Sequence, residues 1–334
     1  MNKIILGIHG LGNKPPKDLL EKWWRRSIND GIFACDHTQP DFQFELVYWS
    51  DLLHPEPLNP NLTDDHHELF LDEPYVPPAH DQHNETGTGR KKILDYLEKQ
   101  MDKILLNDDY SINFSTVTDS IIHHYFSDLD CYYSDDCHVV GNSGKRARES
   151  IRTRLEDALI RHRDKEILLL SHSMGSIIAY DVLSQINSGI SIDTWITAGS
   201  PLGLPVVISK IVSEQKGKLQ PITQVKTPES IASNWFNFSD LEDKVAIDYA
   251  LAGDYSANSK GVGVLDAVVK NQYIIHGKSN AHKSFGYFQT PELGEVIYNF
   301  LSRRKSTIWE NWFNLIKSKI LKNMFGRNNT KIQK

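Results

Sequence analysis

The stretch Leu168-Leu169-Leu170-Ser171-His172-Ser173-Met174-Gly175-Ser176-Ile177-Ile178-Ala179 constrains this chain more than any other. An apolar run over Glu166–Leu170 is short enough for a strand buried on both faces, and Ser176–Ile186 then has the spacing of a helix. Passing from one to the other within five residues requires a sharp turn. Such a turn tolerates little side-chain bulk on either side of its apex, and Ser171 and Gly175 supply that around Ser173. The turn would hold the Ser173 hydroxyl at the carboxyl end of the strand. There it would face the first N–H groups of the helix, where the helix dipole favours negative charge. The same residues also fit an ordinary strand–helix junction in which Ser173 is only a cap.

The rest of the chain sets this turn in an alternating pattern. Ile4-Ile5-Leu6-Gly7-Ile8 reads as a buried strand, followed by a helix over Asp18–Ile28 and a strand over Phe42–Trp49. Residues 51–142 interrupt the rhythm. Up to Gly89 they are rich in Pro, Asp and His; Arg90–Leu106 has helical spacing, and Ser111–Val140 is mixed and aromatic. The rhythm resumes with a helix over Lys145–His162, strands at Thr194–Thr197, Trp235–Phe238 and Tyr273–Ile275, and helices over Leu204–Val212 and Pro291–Leu301. Strands alternating with helices predict an α/β fold: a mostly parallel sheet of about six strands with helices on both faces. The expected organisation is a core of residues 1–50 and 143–305, a lid-like insertion at 51–142, and a basic tail at 306–334.

Four further segments carry chemistry. His9-Gly10-Leu11-Gly12 follows the first strand. Thr197-Ala198-Gly199-Ser200-Pro201 follows the strand after the Ser173 turn. Trp235-Phe236-Asn237-Phe238-Ser239-Asp240-Leu241-Glu242-Asp243-Lys244-Val245-Ala246 ends a strand in an acidic loop. Asn280-Ala281-His282-Lys283-Ser284-Phe285-Gly286-Tyr287 lies beyond the last expected strand. Together with the Ser173 turn, these segments resemble the α/β-hydrolases, in the compact lipase- and esterase-like branch. Ser171 departs from the G-x-S-x-G pattern of that family's nucleophile turn. The resemblance covers about residues 1–50 and 145–302.

The resemblance implies Ser173 as nucleophile, His282 as general base and Asp243 as the acid that orients it, in the chain order the fold requires. Asp240 competes for the acid's place, and His276 for the base's. The backbone N–H groups of Leu11 and Met174 would form the oxyanion hole. His9, Gly10, His172, Ser200 and Pro201 would border the substrate. The implied reaction is hydrolysis of a carboxylic ester, of a lipid or acyl kind, through an acyl-enzyme. Amide or thioester hydrolysis on the same residues, or a non-catalytic binding role, are the alternatives. Tyr48, Trp49 and Tyr75 are candidates for an apolar pocket wall. No cofactor and no metal is implied. The acidic and histidine residues at 64–83 read as a solvated loop rather than as ligands.

Charge bears on partners. The chain has a formal net charge of −6. Arg303–Lys334 holds nine basic residues against one acidic, a net of +8, so the remainder carries −14. An acidic body argues against nucleic acid. In the tail, Trp309, Trp312, Phe313, Ile316, Ile320 and Met324 recur at helical spacing beside lysines. Such a helix over 306–326 can lie on an anionic membrane surface or pack on the acidic body. No apolar run reaches the ~20 residues of a membrane span, and the apolar start is too short for an export signal. Three cysteines, Cys35, Cys131 and Cys137, fit free thiols in a reducing, cytoplasmic interior.

Overall fold

The computed structural model describes residues 2–38, 40–78, 127–186, 189–216, 225–246 and 249–303. Six strands form one parallel sheet: β1 (Lys3–Ile8), β2 (Gln43–Val47), β3 (Glu166–His172), β4 (Ile192–Ala198), β5 (Ile231–Ser239) and β6 (Val264–Val268). Their order across the sheet is β6-β5-β4-β3-β1-β2. The central strand β3 carries Ile167, Leu168, Leu169 and Leu170, all fully buried. Its unbroken apolar run follows from this, since a strand covered on both faces has no side on which to place polar residues.

Two cores lie on opposite faces of the sheet. Ile4, Leu6, Ile8, Ile167 and Leu169 face α3 (Ala147–Arg161), α4 (Met174–Gln185) and α5 (Pro205–Lys216). Ile5, Leu168 and Leu170 face α1 (Lys17–Phe33), α6 (Ser284–Phe288) and α7 (Pro291–Ser302). α1 is amphipathic towards the sheet and buries Leu20, Trp24, Ile28 and Ile32 at helical spacing, whereas α4 is buried on every side from Met174 to Leu183. The fold class expected from the sequence is the one observed.

The sixth strand is not where the sequence places it. It is Val264–Val268, whose central Asp266 interrupts the apolar pattern. That carboxylate accepts hydrogen bonds from Asn237 Nδ2 and from the N–H groups of Leu251 and Ala252, which accounts for an acid inside a strand. The segment expected as the last strand instead forms a small hairpin, with Ile274–Ile275 pairing antiparallel to Lys278–Ser279. Its two-residue turn, His276-Gly277, has φ of 49° and 72°, the positive-φ pair that tight hairpins favour.

Strand β1 has β2 on one side and β3 on the other. The chain therefore leaves β1 in one direction and later resumes on the opposite side. The loops after β1 and β3 diverge at this point, and a crevice opens at the carboxyl ends of the strands.

The described parts of the insertion pack on the body. Arg154 forms a bidentate pair with Asp51, and Tyr132 OH donates to Asp181 Oδ2 at 2.7 Å; within the insertion, Val140 N–H reaches Leu52 O at 2.9 Å. A short helix, α2 (Ser127–Tyr133), precedes a hairpin of His138–Val139 with Asn142–Arg146. Cys131 and Cys137 are joined by a disulfide, which corrects the free-thiol expectation: the end of α2 and the turn after it bring their Cα atoms to 5.2 Å, within the span of such a bridge. Cys35 is free. Arg90–Leu106, the histidines at 80 and 83, and the whole tail at 306–334 lie outside the described residues. Among the described residues no helix is long and apolar enough to cross a membrane, and no group of three or more His, Cys, Asp or Glu is placed to hold a metal.

Candidate active site

Ser173 sits between β3 and α4 with φ 53° and ψ −131°, a region that costs a non-glycine residue about 1–3 kcal/mol. The surroundings hold it there. Its N–H donates to Ala198 O at 3.1 Å, and its carbonyl accepts from Ser176 N–H at 2.9 Å. Gly175 lets the first turn of α4 approach β1: a Cβ there would stand 2.5 Å from Ile8 O and 2.8 Å from His9 O. Gly10 is equally confined, since a Cβ on it would lie 2.7 Å from Ser173 Cβ. Ser171, where the G-x-S-x-G pattern has glycine, turns its side chain towards the neighbouring strand. Its hydroxyl donates to Ile196 O at 3.1 Å and accepts from Trp195 Nε1 at 3.0 Å. It therefore keeps out of the turn that a larger side chain would crowd.

Three segments distant in sequence meet at Ser173. His282 Nε2 lies 3.0 Å from Ser173 Oγ. His282 Nδ1 lies 2.9 Å and 3.0 Å from the two carboxylate oxygens of Asp243. Asp243 is buried, and burial alone would push its carboxyl up. The neighbouring His282, the Tyr287 hydroxyl donating at 2.6 Å and the Val245 N–H at 2.9 Å outweigh that and hold it below the ordinary carboxylate range. An ionised Asp243 accepts a proton only from a donor, so Nδ1 of His282 carries the hydrogen and Nε2 is left to accept from Ser173.

The two competing residues have other places. Asp240 accepts from the N–H groups of Glu242 and Asn271; burial pushes its carboxyl up, and it shapes the loop that presents Asp243. His276 occupies the exposed hairpin turn, its Nε2 3.2 Å from Asp72 O.

The loop carrying His282 is tethered at three successive carbonyls. Asn271 Nδ2 donates to Ala281 O at 2.8 Å and to Lys283 O at 2.9 Å. His172 Nε2 donates to His282 O at 2.8 Å. Burial, together with the adjacent His282, pushes His172 well below the ordinary histidine range, so it is neutral. Asn271 was not legible in the sequence, because a lone asparagine before a strand-like run gives no sign of its partners. Gly199 sits against this cluster with φ +56°; a Cβ there would lie 2.9 Å from Asp243 Oδ2 and 3.2 Å from His282 Nδ1.

The loop after β1 forms the opposite wall. His9 is buried, and burial lowers it to about 3, so its ring is neutral. Its Nδ1 donates to Gly10 O at 2.8 Å, and its Nε2 accepts from Trp49 N–H at 3.0 Å. The ring also stacks on the Trp49 indole, centroids 4.7 Å apart. Gly12 N–H donates to Asp128 Oδ2 from α2. These contacts fix the backbone around Leu11. Met174 opens α4, so its N–H has no intrahelical acceptor.

A cavity of roughly 510 Å³ opens on these groups. His9, Gly10, Leu11, His172, Ser173 and His282 form its floor. Trp23, Trp24, Leu20, Leu58, Phe70, Leu71 and Phe285 make an apolar wall, and Asn13, Lys14, Asp72, Glu73, Asn280 and Lys283 a polar one. Part of the insertion therefore does border the site. Ser200 and Pro201 are not in the lining: Ser200 Oγ accepts from Leu202 N–H and starts a buried 3₁₀ turn. The expected aromatic wall also differs. Trp49 is buried beneath His9, Tyr48 tilts against the His9 ring, and Tyr75 packs edge-on against Phe285. Trp23 and Trp24 of α1 take their place.

Comparison with known proteins adds little to this geometry. No protein-family model matches the chain, and no curated protein matches it. Among solved structures it is similar to MenH from S. aureus, at 11% identity and a TM-score of 0.32, over 90% of this chain and 94% of that one. A likeness that distant carries no argument about function, and the site's own geometry remains the ground for one.

Proposed function

We propose that this protein is a serine hydrolase of the α/β-hydrolase kind, cleaving a carboxylic ester with a lipid or acyl part. The observation that carries the reading is the hydrogen-bonded line Ser173 Oγ–His282 Nε2, His282 Nδ1–Asp243, at the head of a cavity.

A serine hydroxyl is a weak nucleophile at neutral pH and needs a base to remove its proton. His282 takes that proton as Oγ attacks the ester carbonyl. The imidazolium formed is stabilised by Asp243, which also holds the tautomer. Negative charge then grows on the former carbonyl oxygen, and the N–H groups of Leu11 and Met174 receive it. His282 returns its proton to the departing alcohol oxygen, leaving an acyl group on Ser173. A water molecule, deprotonated by His282 in turn, cleaves that acyl bond and frees the serine. The apolar wall of Trp23, Trp24, Leu58, Phe70 and Phe285 suits an acyl chain.

The test is labelling by a fluorophosphonate, with Ser173→Ala as control, followed by turnover of matched nitrophenyl esters, thioesters and anilides. The reading expects labelling of the native protein only, with esters turned over fastest. Undiminished labelling of Ser173→Ala, or none of the native protein, would sink it.

A further inference from the structure

Of the charged groups in the cavity, Lys14 has neither a task in the mechanism nor a counter-ion among the described residues. Lys14 follows the Leu11 loop by three residues and lines the same cavity as Ser173. Its Nζ donates to the backbone carbonyls of Leu11 and Gly12. Both acceptors are neutral, and an ammonium has three hydrogens to give, so one is unspent. The two acids whose charge acts on it, Asp128 and Glu73, are committed elsewhere. Asp128 takes the Gly12 N–H and stands 3.2 Å from His54. Glu73 takes Lys283 Nζ at 2.8 Å and Asn280 Nδ2 at 2.7 Å. Among the described residues no carboxylate lies within ion-pairing distance of Lys14 Nζ, whereas Lys283, the other lysine of the cavity, has its counter-ion. Burying a cation without one is costly. Burial and the nearby Lys283 bring Lys14 down to about 7, against the pull of Asp128 and Glu73, so at neutral pH it is charged in part of the molecules and a bound anion would draw it to the ammonium form.

We propose that Lys14 is the cavity's anion-binding group, so that the ester this protein takes carries a carboxylate away from the scissile bond. A monoanion fits better than a phosphate dianion. A single cation lacks a partner, and Asp72 in the same lining would repel a second negative charge. The inference rests on the hydrolase reading for the substrate, but not for the ion pair itself. The contrary view is that Lys14 only props the Leu11 loop through its two carbonyl contacts. That role would affect charged and neutral substrates alike.

The experiment compares esters matched in size and differing in charge, one pair charged on the acyl side and one on the alcohol side. The pairs are 4-nitrophenyl hemisuccinate with 4-nitrophenyl pentanoate, and the butyryl ester of glycolate with propyl butyrate. In at least one pair the native protein should favour the charged member by about tenfold in kcat/KM. Lys14→Met should bring that ratio to about one, and Lys14→Arg should keep most of it. Calorimetry on Ser173→Ala protein, with and without Lys14→Met, reads the same preference as binding of the charged over the neutral member of each pair. Turnover of all four esters with no charge preference, or a preference that Lys14→Met leaves intact, would overturn the assignment. Turnover of none, with the calorimetric preference present and lost in Lys14→Met, would leave Lys14 assigned and remove the hydrolase reading instead.

Discussion

The residue just before the candidate nucleophile hydrogen-bonds the backbone of the candidate base: His172 Nε2 lies 2.8 Å from His282 O. The turn that presents the hydroxyl thus also sets the height of the loop that presents the imidazole. His172→Ala removes one of three tethers on that loop. A displacement of about 1 Å can cost on the order of 10² in rate. The expected outcome is a fall in kcat of that order with KM little changed. His172→Gln, which keeps a donor, should recover much of it. Equal loss in both variants would mean that the ring matters only as packing.

The two acids of the loop after β5 should separate cleanly. On the proposed mechanism Asp243→Asn takes away the charge that stabilises the imidazolium and permits the wrong tautomer, so turnover should fall by about 10⁴. Asp240→Asn should lose loop stability, since its carboxylate holds the Glu242 and Asn271 N–H groups, while turnover falls far less. Side-by-side kinetics and melting curves decide between them. The reverse order of the two effects would exchange their assignments.

How far this was legible in the sequence depended on whether the signal was local. The strand, turn and helix around Ser173 are one continuous segment whose apolar pattern and small residues stand together, so they could be read. His282 and Asp243 are singled out by the resemblance of their loops to the hydrolase pattern and by their order along the chain, and the structure brings both side chains to Ser173. What escaped was settled by tertiary contacts. Strand β6 hid behind Asp266, whose partners come from two other segments. Ile274–Ile275 has the composition of a sheet strand, but its turn residues make it a hairpin. Trp23 and Trp24 fall within the expected helix over Asp18–Ile28, but nothing in its spacing says that they border the cavity. Ser200 and Pro201 misled because a Gly-Ser-Pro turn near the site places its glycine, not its serine, against the Asp243–His282 pair.

Gly175 tests the packing that permits the turn. Its absent Cβ would overlap the carbonyl oxygens of Ile8 and His9, which are backbone and cannot swing aside. Gly175→Ala should therefore destabilise the fold by about 1–3 kcal/mol, the usual cost of overpacking, although alanine is the better helix former. Chemical denaturation would measure it. A variant as stable as the native protein would show that α4 and β1 are not held in close contact at this point.

His9 should give the protein a specific acid sensitivity. Its ordinary value is 6.5, and in the folded protein burial brings it to about 3. Between these values the unfolded chain binds a proton that the folded chain refuses, so stability must rise with pH across the window. The contribution is complete above pH 6.5 and is lost as pH falls towards 3. From pH 7 to pH 4 it amounts to something on the order of 3 kcal/mol. His9→Gln keeps a donor for Gly10 O and an acceptor for Trp49 N–H but does not titrate. Denaturation at pH 7 and pH 4 should therefore show the native protein losing more stability than the variant, by roughly that amount. His172, lowered in the same direction, is present in both and cancels. Parallel losses in the two proteins would mean that His9 takes up its proton without disturbing the fold, and that the loop before Leu11 is held by something other than a neutral imidazole.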